Sequence, residues 1–482
     1  MQITRTVTIV GGGVAGLTIG YQLARQGYRV TVIEKNPVVG GLGRTFHYGD
    51  FHFDVGPHRF HTENPRVASF IRDILKEEAI EIPRKSGARM FNRFHEWPLR
   101  PSILTAMPIK LMFKGARDLL FKERLPGESF EADVVNKYGR TLYDIFFEPY
   151  TRKFLFYSPS ELHRDWARAG VNRAVIDKRA HSDNLWSLLK NTLMPKPVET
   201  MFLYPPHGVG RFSDLLASSI MEMGGRVILG ASVIDVEAQG PHITAVHTAT
   251  ERIACDNIVW TAPLTMLNTL LKIEGMELEY LSTIFYNLEI GKPPKIDYQW
   301  TYFGGDEIFS RVTSPEAFLP STTPPGKSGL CVEFTCREGD ERWENPERYT
   351  ERIIADLVRT QTIDAASDVE RVHIERVPFT YPIYKLNYLT ELTRNLRLLA
   401  KYSNLLLAGR CGRFWYNNMD HSIGQGLTMA DKILRGEILA EIDSADREFW
   451  AAEEDGKVPV REEEIAEPLE DGTGNADGTP LT

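Results

Sequence analysis

Apolar and polar positions along the chain follow two periods. Thr6-Val-Thr-Ile-Val10 is an apolar, largely β-branched run that stops at glycine, and from there to Gln26 apolar residues recur at three- and four-residue steps. Tyr28 to Ile33 is a second apolar run, and it ends on Glu34. That order predicts a strand, a tight turn, a helix and a parallel strand. From Asn64 to about Leu203 the pattern turns mainly helical, with Val67 to Leu75, Phe130 to Phe147 and Leu185 to Leu193 carrying apolar residues three and four apart. Short strands are predicted in Arg226 to Leu229, Ala231 to Val236, Ile243 to Thr248 and Ile258 to Pro263. Residues 264–395 mix strands, such as Leu330 to Cys336 and Val372 to Val377, with a helix from Pro346 to Arg359. A buried strand at Asn404 to Arg410 and a helix from about His421 to Ala440 follow, and beyond Phe449 periodicity is lost, which predicts a disordered tail over 443–482.

A chain of 482 residues has room for two or three domains and a large core. Its net charge of -9 changes the picture little, because residues 441–482 hold 14 acidic and three basic side chains, leaving the body near neutral. No nucleic-acid surface is implied. The four cysteines, Cys255, Cys331, Cys336 and Cys411, are too few and too scattered for a disulfide framework or a zinc site. They read as reduced thiols. With the first strand inside the first ten residues, and no apolar run of membrane-spanning length, the expected location is the cytoplasm.

The first turn carries the clearest chemistry. Gly11-x-Gly13-x-x-Gly16 lies between the first strand and its helix, where Gly11 permits the turn, Gly13 lets the backbone approach a pyrophosphate, and Gly16 lets helix and strand pack closely. Glu34, eighteen residues past Gly16, is placed to accept from ribose hydroxyls. A dinucleotide is therefore expected. Lys35 leads into a second glycine loop, Gly40-Gly41-Leu-Gly43-Arg44-Thr45. This loop resembles the extended signature of the FAD enzymes of the amine oxidase, protoporphyrinogen oxidase and UDP-galactopyranose mutase superfamily, which implies FAD, with Lys35, Gly41 and Arg44 beside its phosphates. The implied fold is α/β (α+β overall): a Rossmann-type FAD-binding domain made from residues 1–62, 204–263 and 396–442, a helical insertion over 63–203, and a mixed-sheet substrate domain over 264–395.

Three further constellations sharpen the resemblance. Asp54-Val-Gly56-Pro57-His58-Arg59-Phe60-His61-Thr62 is similar to a segment that lies beside the flavin in bacterial UDP-galactopyranose mutases. Tyr143 to Trp166, Tyr204 to Gly210, and Tyr416-Asn417-Asn418-Met-Asp420-His421-Ser422 resemble eukaryotic-type mutases and their bacterial relatives. In this reading Gly56, Gly409 and Arg410 join the cofactor site, and His58 adjusts the flavin N5 region; a core histidine, or a metal pair with His61, are the other roles open to it. Asp420, His421 and Ser422 open a helix whose amides favour an anionic flavin edge, with Asp420 as cap or ribityl contact. Arg311 matches an arginine that binds the substrate diphosphate, and its planar fork suits that task; an ordinary surface arginine is the alternative. The mutases' second phosphate-binding arginine, four residues after the tryptophan matching Trp166, is Gly170 here, leaving Arg168 and Arg173 as candidates. His61, Trp166, Tyr381, Tyr384, Asn417 and Asn418 complete the expected substrate pocket, although Tyr381 and Tyr384 also read as core aromatics.

The resemblance implies a mutase that interconverts pyranose and furanose forms of a nucleoside diphosphate sugar through an adduct with N5 of reduced FAD, with NAD(P)H or another reductant supplying the electrons. The alternative is a protoporphyrinogen oxidase- or amine oxidase-like enzyme that takes hydride from an apolar or amine substrate. Pro101 to Lys122, apolar on one side with basic residues interspersed, would suit that alternative as a helix resting on a membrane, and equally reads as a surface helix. No metal is expected.

Overall fold

The computed structural model describes residues 5–97, 108–121, 123–166 and 200–436. The expected helix Leu185 to Leu193, the candidates Arg168 and Arg173, and the acidic tail lie outside the described residues. The described residues form one compact unit.

The opening pattern forms a five-stranded, all-parallel sheet. Its strands run, in spatial order, Leu405–Leu407, Asn257–Trp260, Thr6–Val10, Arg29–Ile33 and Arg226–Ile228. Three separated stretches of chain thus meet in one sheet, with the first strand at its centre. Such a strand is covered on both faces, and Val7, Ile9 and Val10 are buried. The helices Val14–Arg25, Gly210–Glu222 and Met419–Arg435 supply Leu17, Leu216 and Ile423 to the same core.

A second sheet has seven strands in the order Val369–Pro382, Tyr280–Ile290, Ser328–Cys336, Arg311–Thr313, Trp300–Phe303, Ser86–Met90 and Arg93–Glu96. The last two belong to the stretch expected to be helical, which also contributes Ile80–Pro83, paired with Met201–Tyr204. These strands are four or five residues long, too short for periodicity to separate them from helix. The chain Phe130 to Phe147 is broken at Gly139 (φ +85°) rather than continuous, and the last helix opens at Met419.

A buried carboxylate ties the hairpin Thr45–Asp54 to the neighbouring elements. Asp54 accepts from the Thr45 hydroxyl at 2.6 Å, the Tyr204 hydroxyl at 2.6 Å and the Val209 amide at 3.0 Å. Burial pushes its carboxyl up to about 6 against the pull of those donors. Asp54→Ala leaves three buried donors without an acceptor, and is expected to cost about 3–5 kcal/mol in a denaturant unfolding experiment. A loss under about 1 kcal/mol would contradict this role.

Candidate active site

The two glycine loops meet at the carboxyl ends of the parallel strands. Gly11 has φ +106°, and a Cβ there would stand 2.3 Å from Thr261 Oγ1. At Gly16 a Cβ would stand 2.4 Å from the Gly11 carbonyl oxygen, so the close helix crossing needs glycine. Gly13 differs: a Cβ there meets nothing within 4 Å, because the residue faces an open cleft. Glu34 is buried at the end of the second strand, where one oxygen accepts from the Gly12 amide at 2.8 Å and the other from the Asn36 amide at 2.9 Å. These bonds hold the carboxylate at the cleft wall.

Gly11, Gly13, Glu34, Lys35, Gly41 and Arg44 line this cleft. His58, Gly409, Arg410, Asn417, Asn418 and Ser422 line it as well, carried by three other stretches of the chain. Arg44 is buried, with Cζ 5.0 Å from the Phe46 ring centre, and burial lowers its pKa against the charge of Glu34. Arg410 donates to the carbonyls of Thr380 and Asn417. Two buried polar atoms, His58 Nδ1 and Asn417 Nδ2, have no hydrogen-bond partner among the described residues. A long cleft with open glycine backbone, a carboxylate at one wall and unmet polar atoms at another fits a dinucleotide carrying a polar ring system.

Residues 14–434 match the family model described as flavin containing amine oxidoreductase. The chain belongs to that family. Within it, the chain is 28% identical over 451 residues, 89% of its own length and 95% of the relative's, to the probable UDP-galactopyranose mutase of Klebsiella pneumoniae. It is 23% identical over 428 residues, 76% of this chain and 80% of the relative, to phytoene dehydrogenase of Streptomyces griseus. The fold is that of a solved reduced UDP-galactopyranose mutase, with a TM-score of 0.77, 19% identity, and 93% of this chain and 99% of that one covered.

In this member of the family, the second sheet presents a charged and aromatic face beside His58. Arg311 is held by Glu333, with Nε at 2.5 Å from Oε1 and Nη2 at 2.6 Å from Oε2, and Nη2 also donates to the Tyr381 hydroxyl at 3.1 Å. It is therefore no ordinary surface arginine, and Nη1 takes no part in the ion pair. Burial opposes the Arg311 charge, but Glu333 and Tyr381 outweigh it and the pKa lies well above the usual arginine value. Gly56 (φ +77°) admits this pair, since a Cβ there would stand 2.9 Å from Glu333 Oε1. His58 is pushed down to about 3 by burial and by the charges of Arg410, Arg311 and Arg59, so its imidazole is neutral at neutral pH.

Several expected residues take other places. Tyr384 is 1% exposed, stacks on Tyr388 at 4.2 Å, and accepts from the Tyr416 amide at 2.7 Å; it anchors the loop before the last helix instead of walling a pocket. Asn418, not Asp420, is the N-cap of Met419–Arg435, and its amide donates to His421 Nδ1 at 3.2 Å, which leaves Asp420 in the first turn. His61 is exposed, edge-on to Phe202, and lines a separate depression with Thr62 and Met201. Trp166 is buried and stacks on Tyr416 at 5.0 Å, while Tyr381 meets Tyr416 edge-on at 5.3 Å. Glu333 and Arg59 were not anticipated as site residues. The first carried a signal, since an acid in the apolar run Leu330 to Cys336 needs a buried cation beside it.

Proposed function

We propose that the protein is an FAD-dependent nucleotide-sugar mutase, interconverting pyranose and furanose forms of a nucleoside diphosphate sugar with its flavin reduced by NAD(P)H or another reductant. The observation that carries this reading is the concentration of guanidinium groups, those of Arg410, Arg311 and Arg59, around a neutral His58 that lines the cleft. Such a field attracts an anionic substrate and repels the cationic amine that an amine oxidase must admit. In this reading residues 1–62, 204–263 and 396–442 hold FAD, and residues 264–395 carry the substrate.

Gly11, Gly13 and the start of the helix Val14–Arg25 would hold the FAD pyrophosphate, and Glu34 the ribose. Lys35 and Arg44 would balance phosphate charge, and Arg410, Asn417, Ser422 and His58 would hold the ring system. When bound, reduced FAD supplies a nucleophile for the anomeric carbon. The chain's own residues do the rest. Arg311, through its remaining Nη1, binds the leaving diphosphate, while Glu333 and Tyr381 keep its plane fixed. His58, being neutral, offers one N–H and one lone pair without adding a fourth positive charge. Trp166, Tyr381 and Tyr416 exclude water from the sugar.

An oxidoreductase acting on an apolar substrate is the second reading, favoured by the helix Ile109–Leu120, on and beside which Ile109, Phe113, Leu120 and Phe121 are exposed. No helix among the described residues is long and apolar enough to cross a membrane. A ligand titration separates the two readings. Adding a nucleoside diphosphate to the anaerobically reduced holoprotein is expected to shift the flavin absorbance spectrum saturably. A spectrum indifferent to nucleoside diphosphates, with fast oxygen consumption on an apolar or amine substrate, would favour the oxidoreductase.

A further inference from the structure

The cation that the mechanism leaves unused is Arg59. Its Nη1 donates to the Pro57 carbonyl at 3.1 Å, and its Cζ lies 4.8 Å from the ring centre of Trp300 and 5.1 Å from that of Phe202. No carboxylate among the described residues pairs with it. That contrasts with Arg311, which has Glu333. Arg59 sits on Trp300 and Arg311 lies 5.9 Å from the ring centre of Tyr302. Residues 300 and 302 share one face of the strand Trp300–Phe303, with Cα atoms about 7 Å apart.

Unmet donors accompany this guanidinium. Trp300 Nε1 is buried without an acceptor, and so is the hydroxyl of Thr313, the residue paired with Trp300 across the ladder. Buried polar groups without partners are rare, and with Thr301 Oγ1 three lie on the strand pair that carries Trp300, beside a cation with no ion-pair partner among the described residues. Burial together with the charges of Arg84 and Arg311 pushes the Arg59 guanidinium down to about 10, against the pull of Tyr302 and Asp420. An anion arriving here would relieve that repulsion.

We propose that Arg59, stacked on Trp300, is the second anion contact of the substrate site and, with Arg311, spans the two phosphates of a nucleoside diphosphate sugar. The assignment rests on the mutase reading. Aromatic stacking fixes the plane of the guanidinium, so its fork meets phosphate oxygens at small entropic cost. No covalent step is assigned to it.

Isothermal titration calorimetry on the flavin-loaded full chain, with UDP and inorganic pyrophosphate as probes, tests this. Arg59→Met is expected to retain flavin and to weaken both ligands about 10–100-fold, the scale of one or two lost charge-assisted hydrogen bonds. Arg59→Lys should recover part of the loss, since it keeps the charge but not the fork. The slope of affinity against salt should fall in Arg59→Met. If that variant proves unstable, Arg59→Gln, which keeps a planar amide, should weaken UDP similarly. Unchanged UDP and pyrophosphate affinity in a flavin-loaded Arg59→Met protein would overturn the subsite, as would a wild-type protein that binds neither probe. The two readings fail separately. A protein that binds UDP through Arg59 yet isomerises no nucleotide sugar overturns the mutase and keeps the subsite. One that isomerises nucleotide sugars while Arg59→Met binds UDP normally overturns the subsite alone.

Discussion

Replacing Gly13 by leucine is expected to give a folded but colourless protein. The backbone at Gly13 is extended, with φ −76° and ψ 173°, so a side chain is tolerated there, and a Cβ meets no atom within 4 Å. The leucine would instead occupy the cleft where a pyrophosphate must approach the backbone. Flavin affinity should fall at least about 100-fold, equivalent to roughly 3 kcal/mol, with little change in melting temperature. Gly16→Ala should behave in the opposite way, because its Cβ would press on the Gly11 carbonyl at 2.4 Å and Ile9 Cγ2 at 3.0 Å; overpacking of this kind costs about 1–3 kcal/mol of stability. Absorbance at the flavin bands, measured alongside thermal unfolding, distinguishes the two. A yellow Gly13→Leu protein would mean that the cleft does not hold the dinucleotide.

The other large effect is expected at Glu333. Its side chain is fully buried and that of Arg311 is 17% exposed, so Glu333→Ala strands a guanidinium in a low-dielectric site. Removing one partner of a buried pair costs about 3–5 kcal/mol, whereas removing both can be neutral. Denaturant unfolding should therefore show a severe loss for Glu333→Ala and recovery of most of it in the double variant Arg311→Met with Glu333→Leu. That double variant should also lose affinity for nucleoside diphosphates. Equal stabilities for the single and double variants would mean that the pair is not coupled.

The dinucleotide turn was legible in the sequence because everything it needs lies within about thirty residues: the apolar run, the three glycines, the helix and Glu34. The sheet around it was legible for a related reason, since buried parallel strands such as Ile258 to Trp260 and Leu405 to Leu407 are continuous apolar runs. Long-range pairing was not. Nothing near Arg311 announces Glu333, which arrives 22 residues later on the adjacent strand. Arg59 carries no reading of its own inside the motif Asp54 to Thr62, because the ring it stacks on, Trp300, is some 240 residues away. The strands between Ile80 and Glu96 fall inside a stretch whose pattern predicts helix, because four or five residues cannot distinguish the two periods. Tyr384 was expected at a pocket wall, yet its hydroxyl is needed by the Tyr416 amide, and only the fold could show that.

The measurement that bears most directly on the central claim is product analysis after incubating the holoprotein with a panel of nucleoside diphosphate sugars, once anaerobically reduced and once oxidised. The reduced protein is predicted to convert one or more of them between pyranose and furanose forms, with no net oxidation of sugar, while the oxidised protein leaves them unchanged. Reduced, flavin-loaded protein that isomerises none of the panel, or equal conversion in both redox states, would contradict the account.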